Sequence, residues 1–326
     1  MKRSNLLTGL TVLGATALLA GCQSAPELPE QHPPAPEPEP AAAPAAEPAA
    51  PAAAYVVDVV AEDYAFEAPD EIESGWVTFR LSNEGEETHF LYLTRLPDDR
   101  TYDDYVEGIS APFNEIWHAL RAGEMDKATA GQELGAKIPG WYWTGARPFG
   151  GPGLVAAGDV SRATVRLEPG TYVMECFMKT PEGEFHWAEG MIRPLEVLAE
   201  ASGAPEPEAD VDLTLTTEGF ATSGELGAGT HTIAVHFTEQ PEAGFGNDVH
   251  VARLDDGMDA EALVPWLDAF NVNGLANPAP ATFIGGTHEQ PEGGLIYFTV
   301  DFAPGRYAWV SEAPDVRPLV QEFTVP

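Results

Sequence analysis

The sequence is poor in cysteine and in positive charge. It contains two cysteines, Cys22 and Cys176, and 16 lysines and arginines against 52 aspartates and glutamates, which gives a formal net charge of −36. A negative surface of this size repels polyanions and anionic lipid headgroups. We therefore expect no nucleic acid among the partners of this protein, and a basic partner where it docks to another protein through charge.

The N-terminus has the pattern of an export signal. A basic start precedes an apolar run over 6–20 that is too short for a mature membrane span. The run ends in LAGC (19–22), which resembles the bacterial lipobox, whose cysteine becomes the lipidated N-terminus. The alternative is an ordinary signal peptide that contains a cysteine. We predict a signal over 1–21, a lipid on Cys22 and a place in the bacterial cell envelope, and Gln23 after the cysteine favours the outer membrane by the same resemblance.

Residues 22–54 are almost entirely proline, alanine and glutamate. Such a segment has little apolar surface to bury, and its prolines keep it extended. We predict a semi-rigid tether that holds the folded part of the chain away from the membrane.

The single remaining cysteine can have only a few roles. Once Cys22 carries a lipid, Cys176 is the only thiol in an oxidising compartment, and it has no partner for an internal disulfide. Three roles remain open for it: a small buried hydrophobe, a reactive thiol or a metal ligand.

The folded part contains two related halves. Each half has two alternating apolar stretches joined by a polar, glycine-containing segment, then a helix-like segment, then a strand, a Pro-Gly turn and a strand that begins Gly-x-Tyr. In the first half these stretches are 75–96, 102–121 and 162–177, and in the second they are 229–254, 259–270 and 296–312. Alignment of the halves on the shared residues places Ser311 opposite Cys176 and Asn247 opposite His89.

Short strands with regular turns and few helices predict a β-sandwich in each half. The predicted fold class is therefore mainly β, with two tandem sandwich domains and a helical insert near 115–140 in the first. The predicted first domain is 55–198, the linker is 199–209 and the second domain is 210–326.

Three residues with soft or borderline ligand atoms cluster late in the first domain, in the pattern Cys176-x9-His186-x4-Met191. Two neutral imidazoles and a thiolate in a plane, with a weak thioether on the axis, form a type 1 copper site. A loop between neighbouring strands would bring these three side chains to one end of the sandwich, and His89 is placed to supply the fourth ligand from another strand. Taken singly, each residue has an ordinary structural role as the alternative.

The first domain resembles a cupredoxin, the plastocyanin and azurin family of blue copper proteins, in the segments NEGEETH (83–89), GTYVMEC (170–176) and HWAEGM (186–191). The resemblance implies a Greek-key sandwich that holds one type 1 copper ion. It implies His89, Cys176 and His186 as equatorial ligands and Met191 as the axial ligand. The sequence departs from the family at Thr88, where a proline is usual, and in the nine residues between Cys176 and His186, a spacing close to that of copper nitrite reductases.

The second domain keeps the framework but lacks these ligands. It has Asn247 and Ser311 at two ligand positions, and no histidine in 312–319. Its remaining histidines do not repeat the pattern; they are His231, His236, His250 and His288. We predict a metal-free domain.

The residues beside Cys176 bear on the role of the copper. Related copper enzymes have a histidine next to the copper cysteine that connects it to a second copper, whereas Glu175 and Phe177 flank Cys176 here. The sequence also lacks a nucleophilic triad and a glycine-rich phosphate loop. We therefore expect a membrane-anchored one-electron carrier with no catalytic residues, which is not an enzyme and whose partner is a redox protein.

Three aromatic residues flank the predicted site. Phe177, Phe185 and Trp187 are candidates for an apolar patch on which the redox partner docks, and the alternative is that they pack against the insert. Two other functions stay open: a metal-free scaffold or binding lipoprotein of the envelope, and a copper storage or delivery protein.

Overall fold

The computed structural model of the protein describes residues 53–241, 245–312 and 318–326. The predicted signal, Cys22 and the tether up to residue 52 lie outside the described residues, as do residues 313–317. The described residues all belong to one compact unit. Among the described residues, no helix has the length and apolar character needed to cross a membrane.

The strands of the first half bury one face in the core. In the first strand Val57, Val59 and Ala61 are buried while the residues between them are exposed or half-buried, as expected for side chains that alternate between two faces. The strands of this half are β1 (Val56–Glu62), β2 (Ala65–Glu67), β3 (Glu71–Asn83), β4 (Tyr92–Arg95), β5 (Arg147–Pro148), β6 (Val160–Leu167), β7 (Gly170–Glu175) and β8 (Ile192–Ala201).

Strand β3 belongs to both sheets of this sandwich. Its beginning, Glu71–Ser74, pairs with β8, and Gly75 to Ser82 pair with β6. Gly75 marks the change with a φ of +97°, a conformation that glycine adopts without steric cost. Strands β8, β7, β4 and β5 continue the first sheet, and β1 pairs with the later part of β3 in the second.

The second half repeats this topology. Strand β9 runs parallel to β11 and β11 antiparallel to β14, as β1, β3 and β6 do. The register is also the same, because Arg95 pairs with Tyr172 and Arg253 pairs with Tyr307. The strands are β9 (Val211–Thr216), β10 (Gly219–Ser223), β11 (Gly229–Phe237), β12 (Val249–Leu254), β13 (Thr282–Thr287), β14 (Leu295–Phe302), β15 (Gly305–Ser311) and β16 (Leu319–Val325).

The Gly-x-Tyr sequence of each half closes a turn. The hydroxyl of Tyr172 donates to the carbonyl of Glu168 at 2.9 Å, and that of Tyr307 donates to the carbonyl of Ala303 at 2.8 Å. Both tyrosines are buried, and a buried tyrosine hydroxyl needs such an acceptor. The repeated sequence therefore has the same structural role in both halves.

The two halves share one sheet and one core. Strand β6 pairs antiparallel with β14, so the sheet runs from β3 through β6 and β14 to β11 and β9. Apolar residues of both halves belong to the same core cluster. Strand β8 reaches Ala201, which pairs with Ser74, so the first residues of the segment predicted as a linker are strand.

The helical insert lies between β4 and β5. The predicted helix over 102–121 is present, with a π-helical turn at Val106–Ser110, and the insert extends beyond the predicted 115–140. In the second half the corresponding segment is shorter, a 3-10 helix at Ala260–Leu263 followed by one α-helical turn. The α-helices are α1 (Tyr102–Tyr105), α2 (Ala111–Arg121), α3 (Lys127–Lys137), α4 (Gly140–Gly145), α5 (His186–Glu189) and α6 (Val264–Leu267).

Candidate metal centre

Three predicted ligands meet at one end of the first half. His89 precedes β4, Cys176 follows β7 and His186 begins α5. Nδ1 of His89 lies 3.1 Å from Nδ1 of His186, and Sγ of Cys176 lies 3.6 Å from Nδ1 of His186 and 4.0 Å from Nδ1 of His89. Ligand atoms about 2.0–2.3 Å from one ion in a trigonal plane are about 3.5 Å apart. The three atoms therefore have the spacing of ligands around a single ion.

Hydrogen bonds determine the tautomers of the two imidazoles. Nε2 of His89 faces Oδ1 of Asp63 at 2.9 Å, and Nε2 of His186 faces Oε2 of Glu87 at 2.8 Å. Carboxylates accept hydrogen bonds, so each Nε2 carries the hydrogen and each Nδ1 presents a lone pair. Burial, and after it the neighbouring His186, lowers the pKa of His89 to about 4, which keeps that ring neutral near pH 7. Two lone pairs 3.1 Å apart repel each other unless a cation lies between them.

Sequence analysis missed Asp63, which lies in the turn between β1 and β2. Burial alone would raise the pKa of Asp63, but hydrogen bonds from the backbone N–H groups of Glu86 and Glu87 and from His89 lower it overall. A Cβ atom at Gly85 would collide with Asp63 and would crowd Nε2 of His89. The glycine in the 83–89 segment is therefore the one sequence signal for this contact, because no local pattern connects positions 63 and 89.

The surroundings of Cys176 suit a metal ligand better than a reactive thiol. The side chain has no solvent exposure, and burial raises the pKa of the thiol well above its usual value. The N–H groups of Phe90 and Met178 lower this pKa in part, because they donate to the sulfur. A buried thiol is inert in solution chemistry, whereas a bound metal ion displaces its proton.

The backbone of Met191 is hydrogen-bonded to two of the other predicted ligands. Its N–H donates to the carbonyl of His186 at 2.9 Å, and its carbonyl accepts from the N–H of Cys176 at 3.1 Å. Its side chain is fully buried. The long spacing between Cys176 and His186 does not disturb this arrangement, because those residues form a hairpin of their own in which Lys179 pairs with Phe185.

The second half covers the centre. The N–H of Thr88 donates to Oδ1 of Asn277 at 2.9 Å, and Nδ2 of Asn277 donates to Oε2 of Glu87 at 3.0 Å. A proline has no N–H to donate. A proline at position 88 would therefore lack the N–H that attaches the second half to the segment that carries His89.

Phe185, one of the three residues of the predicted docking patch, is 2% exposed. Its ring lies 4.9 Å from that of Trp117 in the insert and 5.6 Å from that of Trp187. Phe177 and Trp187 are half-buried in the same packing. The insert and the second half cover these rings, and His186 itself has no solvent exposure.

The equivalent positions of the second half hold a hydrogen bond instead of ligands. Oγ of Ser311 lies 3.5 Å from Oδ1 of Asn247, and both side chains are buried. The residues that align with Cys176 and His89 are thus in contact with each other, as their counterparts are.

Comparison with family models and with curated protein sequences finds no match. Solved structures similar to this chain include auracyanin A, a blue copper protein of the bacterium Chloroflexus aurantiacus, at 18% identity over 45% of this chain and 100% of that chain, with a TM-score of 0.27. A multicopper oxidase matches at 14% identity over 83% of this chain and 88% of that chain, with a TM-score of 0.22. A copper-containing nitrite reductase of Thermus scotoductus matches at 11% identity over 83% of this chain and 61% of that chain, with a TM-score of 0.21.

The expectation that this protein is not an enzyme is contradicted by these comparisons, because the multicopper oxidase and the nitrite reductase are enzymes. That expectation depended on the two residues that flank Cys176. Flanking residues give no information about groups that other strands bring to the same region. At these identities and TM-scores the likeness carries neither an activity nor a substrate to this chain. The protein has a cupredoxin-like, mainly β fold in which two sandwiches of one topology are joined through a common sheet.

Proposed function

We propose that this protein is a type 1 copper protein of the bacterial cell envelope that transfers one electron at a time. His89, Cys176, His186 and Met191 would hold the copper ion in the first half. The observation that carries the proposal is the pair of Nδ1 atoms 3.1 Å apart, one of which lies 3.6 Å from Sγ of Cys176. A thiolate together with two imidazoles is the donor set that suits copper in both of its common oxidation states.

The residues around the ligands have defined tasks in this function. Copper supplies the one-electron chemistry when bound. Asp63 and Glu87 accept hydrogen bonds from His89 and His186 and so keep each imidazole in a single orientation. Full burial of the donor atoms keeps solvent away from the ligands, which suits electron exchange through the protein rather than through a bound water.

The test of the copper assignment is colour. Purified protein given Cu(II) is expected to turn intensely blue or green from thiolate-to-copper charge transfer, and Cys176→Ser is expected to abolish that absorption band. The matched control is His236→Ala, since His236 is an exposed histidine that pairs with Asp212 at 2.8 Å. A colourless wild type that binds copper(I) stoichiometrically would favour storage or delivery, and a wild type that binds no copper would favour the scaffold function.

The lipid anchor on Cys22 and a basic redox partner are also part of the proposal. They are supported by the LAGC sequence and by the net charge of −36. Expression of the full chain in a bacterium is expected to place the wild type in the outer-membrane fraction and Cys22→Ser outside it. Equal membrane association of both proteins would contradict the anchor.

A further inference from the structure

The turn between β1 and β2 contains a residue in a strained backbone conformation. Tyr64 has a φ of +70°, in the left-handed region that bulky side chains rarely adopt. Across the described residues, Tyr64 and Leu275 are the non-glycine residues with positive φ. Such a conformation persists only where the surrounding structure imposes it, and residues of this kind cluster at functional sites. The contacts of Tyr64 show what imposes it here.

The repeat supplies an internal comparison for this turn. Strands β9 and β10 are also joined by two residues, Thr217 and Glu218, and Glu218 has the position of Tyr64. In that turn the positive φ falls on the next residue, Gly219, at +148°, where it has no steric cost. The fold can therefore close this hairpin without a strained residue. The conformation of Tyr64 belongs to the half that carries the candidate copper ligands.

The hydroxyl of Tyr64 holds the carboxylate of Glu87. It donates to Oε1 at 3.1 Å, and a phenol is protonated and able to donate near neutral pH. The other oxygen, Oε2, accepts from Nε2 of His186 at 2.8 Å and from Nδ2 of Asn277 at 3.0 Å. Tyr64 therefore fixes the oxygen of Glu87 that His186 does not use, so that the carboxylate is held through both of its oxygens.

The ring and the backbone of Tyr64 contact the segment that carries His186. The centre of the tyrosine ring lies 5.1 Å from that of the imidazole, with the two planes 68° apart, an edge-to-face arrangement that aromatic rings favour. A Cβ atom at Gly190 would lie 3.2 Å from the carbonyl oxygen of Tyr64, so the turn packs closely against the residues between His186 and Met191. Hydroxyl, ring and carbonyl together fix the orientation of Tyr64, which is the physical reason that its strained φ is kept.

The residue before Tyr64 serves the other imidazole. Oδ1 of Asp63 faces Nε2 of His89 at 2.9 Å. Two adjacent residues of one turn thus reach both candidate histidine ligands, Asp63 directly and Tyr64 through Glu87. The backbone conformation of this turn therefore determines the position of both hydrogen-bond partners at once.

We propose that Tyr64 is a positioning residue of the copper centre, which fixes Glu87 and through it the imidazole of His186. The inference rests on the proposed function, because it concerns the ligands of the same ion. A carboxylate that accepts the ring N–H of a ligand histidine fixes the tautomer and the orientation of the ring and makes it a stronger ligand. Glu87 does this for His186, and Tyr64 keeps Glu87 in the place where it can.

The test is the affinity for Cu(II), measured on the full-length protein by competition with a chelator of known affinity. Tyr64→Phe keeps the ring and removes the hydroxyl, and it is expected to weaken Cu(II) binding about tenfold, whereas Glu87→Gln is expected to weaken it roughly 10- to 100-fold. The variant with both changes is expected to bind no more weakly than Glu87→Gln, because Tyr64 acts through Glu87. The electron paramagnetic resonance spectrum of bound Cu(II) is expected to change in each variant, since it reports the arrangement of the ligands.

The matched control is Tyr297→Phe. The hydroxyl of Tyr297, on β14 of the second half, donates to Oε1 of Glu206 at 2.6 Å. Tyr64→Phe and Tyr297→Phe each remove one tyrosine–carboxylate hydrogen bond, and urea unfolding of the copper-free proteins is expected to show that both variants are folded. A role in folding alone would leave the Cu(II) affinity of both unchanged, whereas a positioning role weakens it in Tyr64→Phe only.

The outcomes separate this inference from the copper assignment. Equal Cu(II) affinities and spectra for wild type and Tyr64→Phe, or losses that simply add in the double variant, would overturn the role of Tyr64 and leave the copper assignment intact. A folded wild type that binds no Cu(II) would overturn both.

Discussion

Replacement of Lys179 by alanine is expected to lower the free energy of unfolding by about 3–5 kcal/mol. Lys179 has no solvent exposure, and its Nζ donates to the carbonyls of Ala269, Asn271 and Gly274 at 2.6, 2.9 and 2.7 Å. It also lies 4.0 Å from the centre of the Trp117 ring, at a distance where a cation is attracted to the aromatic face. Removal of the amine takes a donor away from three backbone carbonyls and leaves a cavity in the interface between the halves.

The ionisation state of Lys179 sets the conditions for the measurement. Burial lowers its pKa to about 7, while three carbonyl acceptors require three N–H donors and so favour the ammonium form. Denaturant unfolding at pH 6, where the ammonium form predominates, is therefore the appropriate comparison of wild type and variant.

The matched control is Lys127→Ala. Lys127 binds Asp268, next to the same segment of the second half, at 2.8 Å, but its side chain is 45% exposed. An exposed ion pair contributes about 0–1 kcal/mol. Similar losses for both variants would contradict the role assigned to Lys179, because burial is the difference between them.

Copper is expected to raise the stability of the protein by about 4 kcal/mol when its free concentration is about a thousand times the dissociation constant, provided that it binds only the folded state. The physical reason is the pair of Nδ1 atoms of His89 and His186, which lie 3.1 Å apart while the Nε2 atom of each ring faces a carboxylate. A cation between them bonds to both. Thermal unfolding with and without copper, at a fixed protein concentration, measures the effect.

Cys176→Ser is expected to remove most of this stabilisation, because a hydroxyl is a poor ligand for copper compared with a thiolate. His236→Ala is expected to show the full wild-type increase, since His236 lies on the surface. An equal increase in unfolding temperature for wild type and Cys176→Ser would mean that copper stabilises the protein from another position.

Much of the fold could be predicted because its signals are local. The alternation of apolar residues predicts strands, and the Gly-x-Tyr sequence predicts the turns that Tyr172 and Tyr307 close. The order of His89, Cys176, His186 and Met191 along the chain predicts that they converge once the family resemblance supplies a strand topology. The structure brings the first three together and places the backbone of Met191 beside them.

Two expectations depend instead on contacts between residues far apart in the chain: the docking patch and the exclusion of an enzyme. Whether Phe185 is exposed depends on where Trp117 lies, and Trp117 belongs to an insert whose position no local pattern determines. The residues that flank Cys176 give no information about His288. This histidine reaches the same region from another strand and packs on Phe177.

The sequence by itself therefore determined the repeat, the mainly β fold and the candidate ligands of the first centre, because periodicity, turn residues and ligand types are properties of neighbouring positions. Tertiary structure alone decided that Asp63 holds His89, that Asn277 of the second half closes over Thr88, and that Tyr64 reaches Glu87 beside His186. These contacts join positions far apart in the chain, and their distances depend on how two sheets and an insert pack, which no spacing in the sequence encodes.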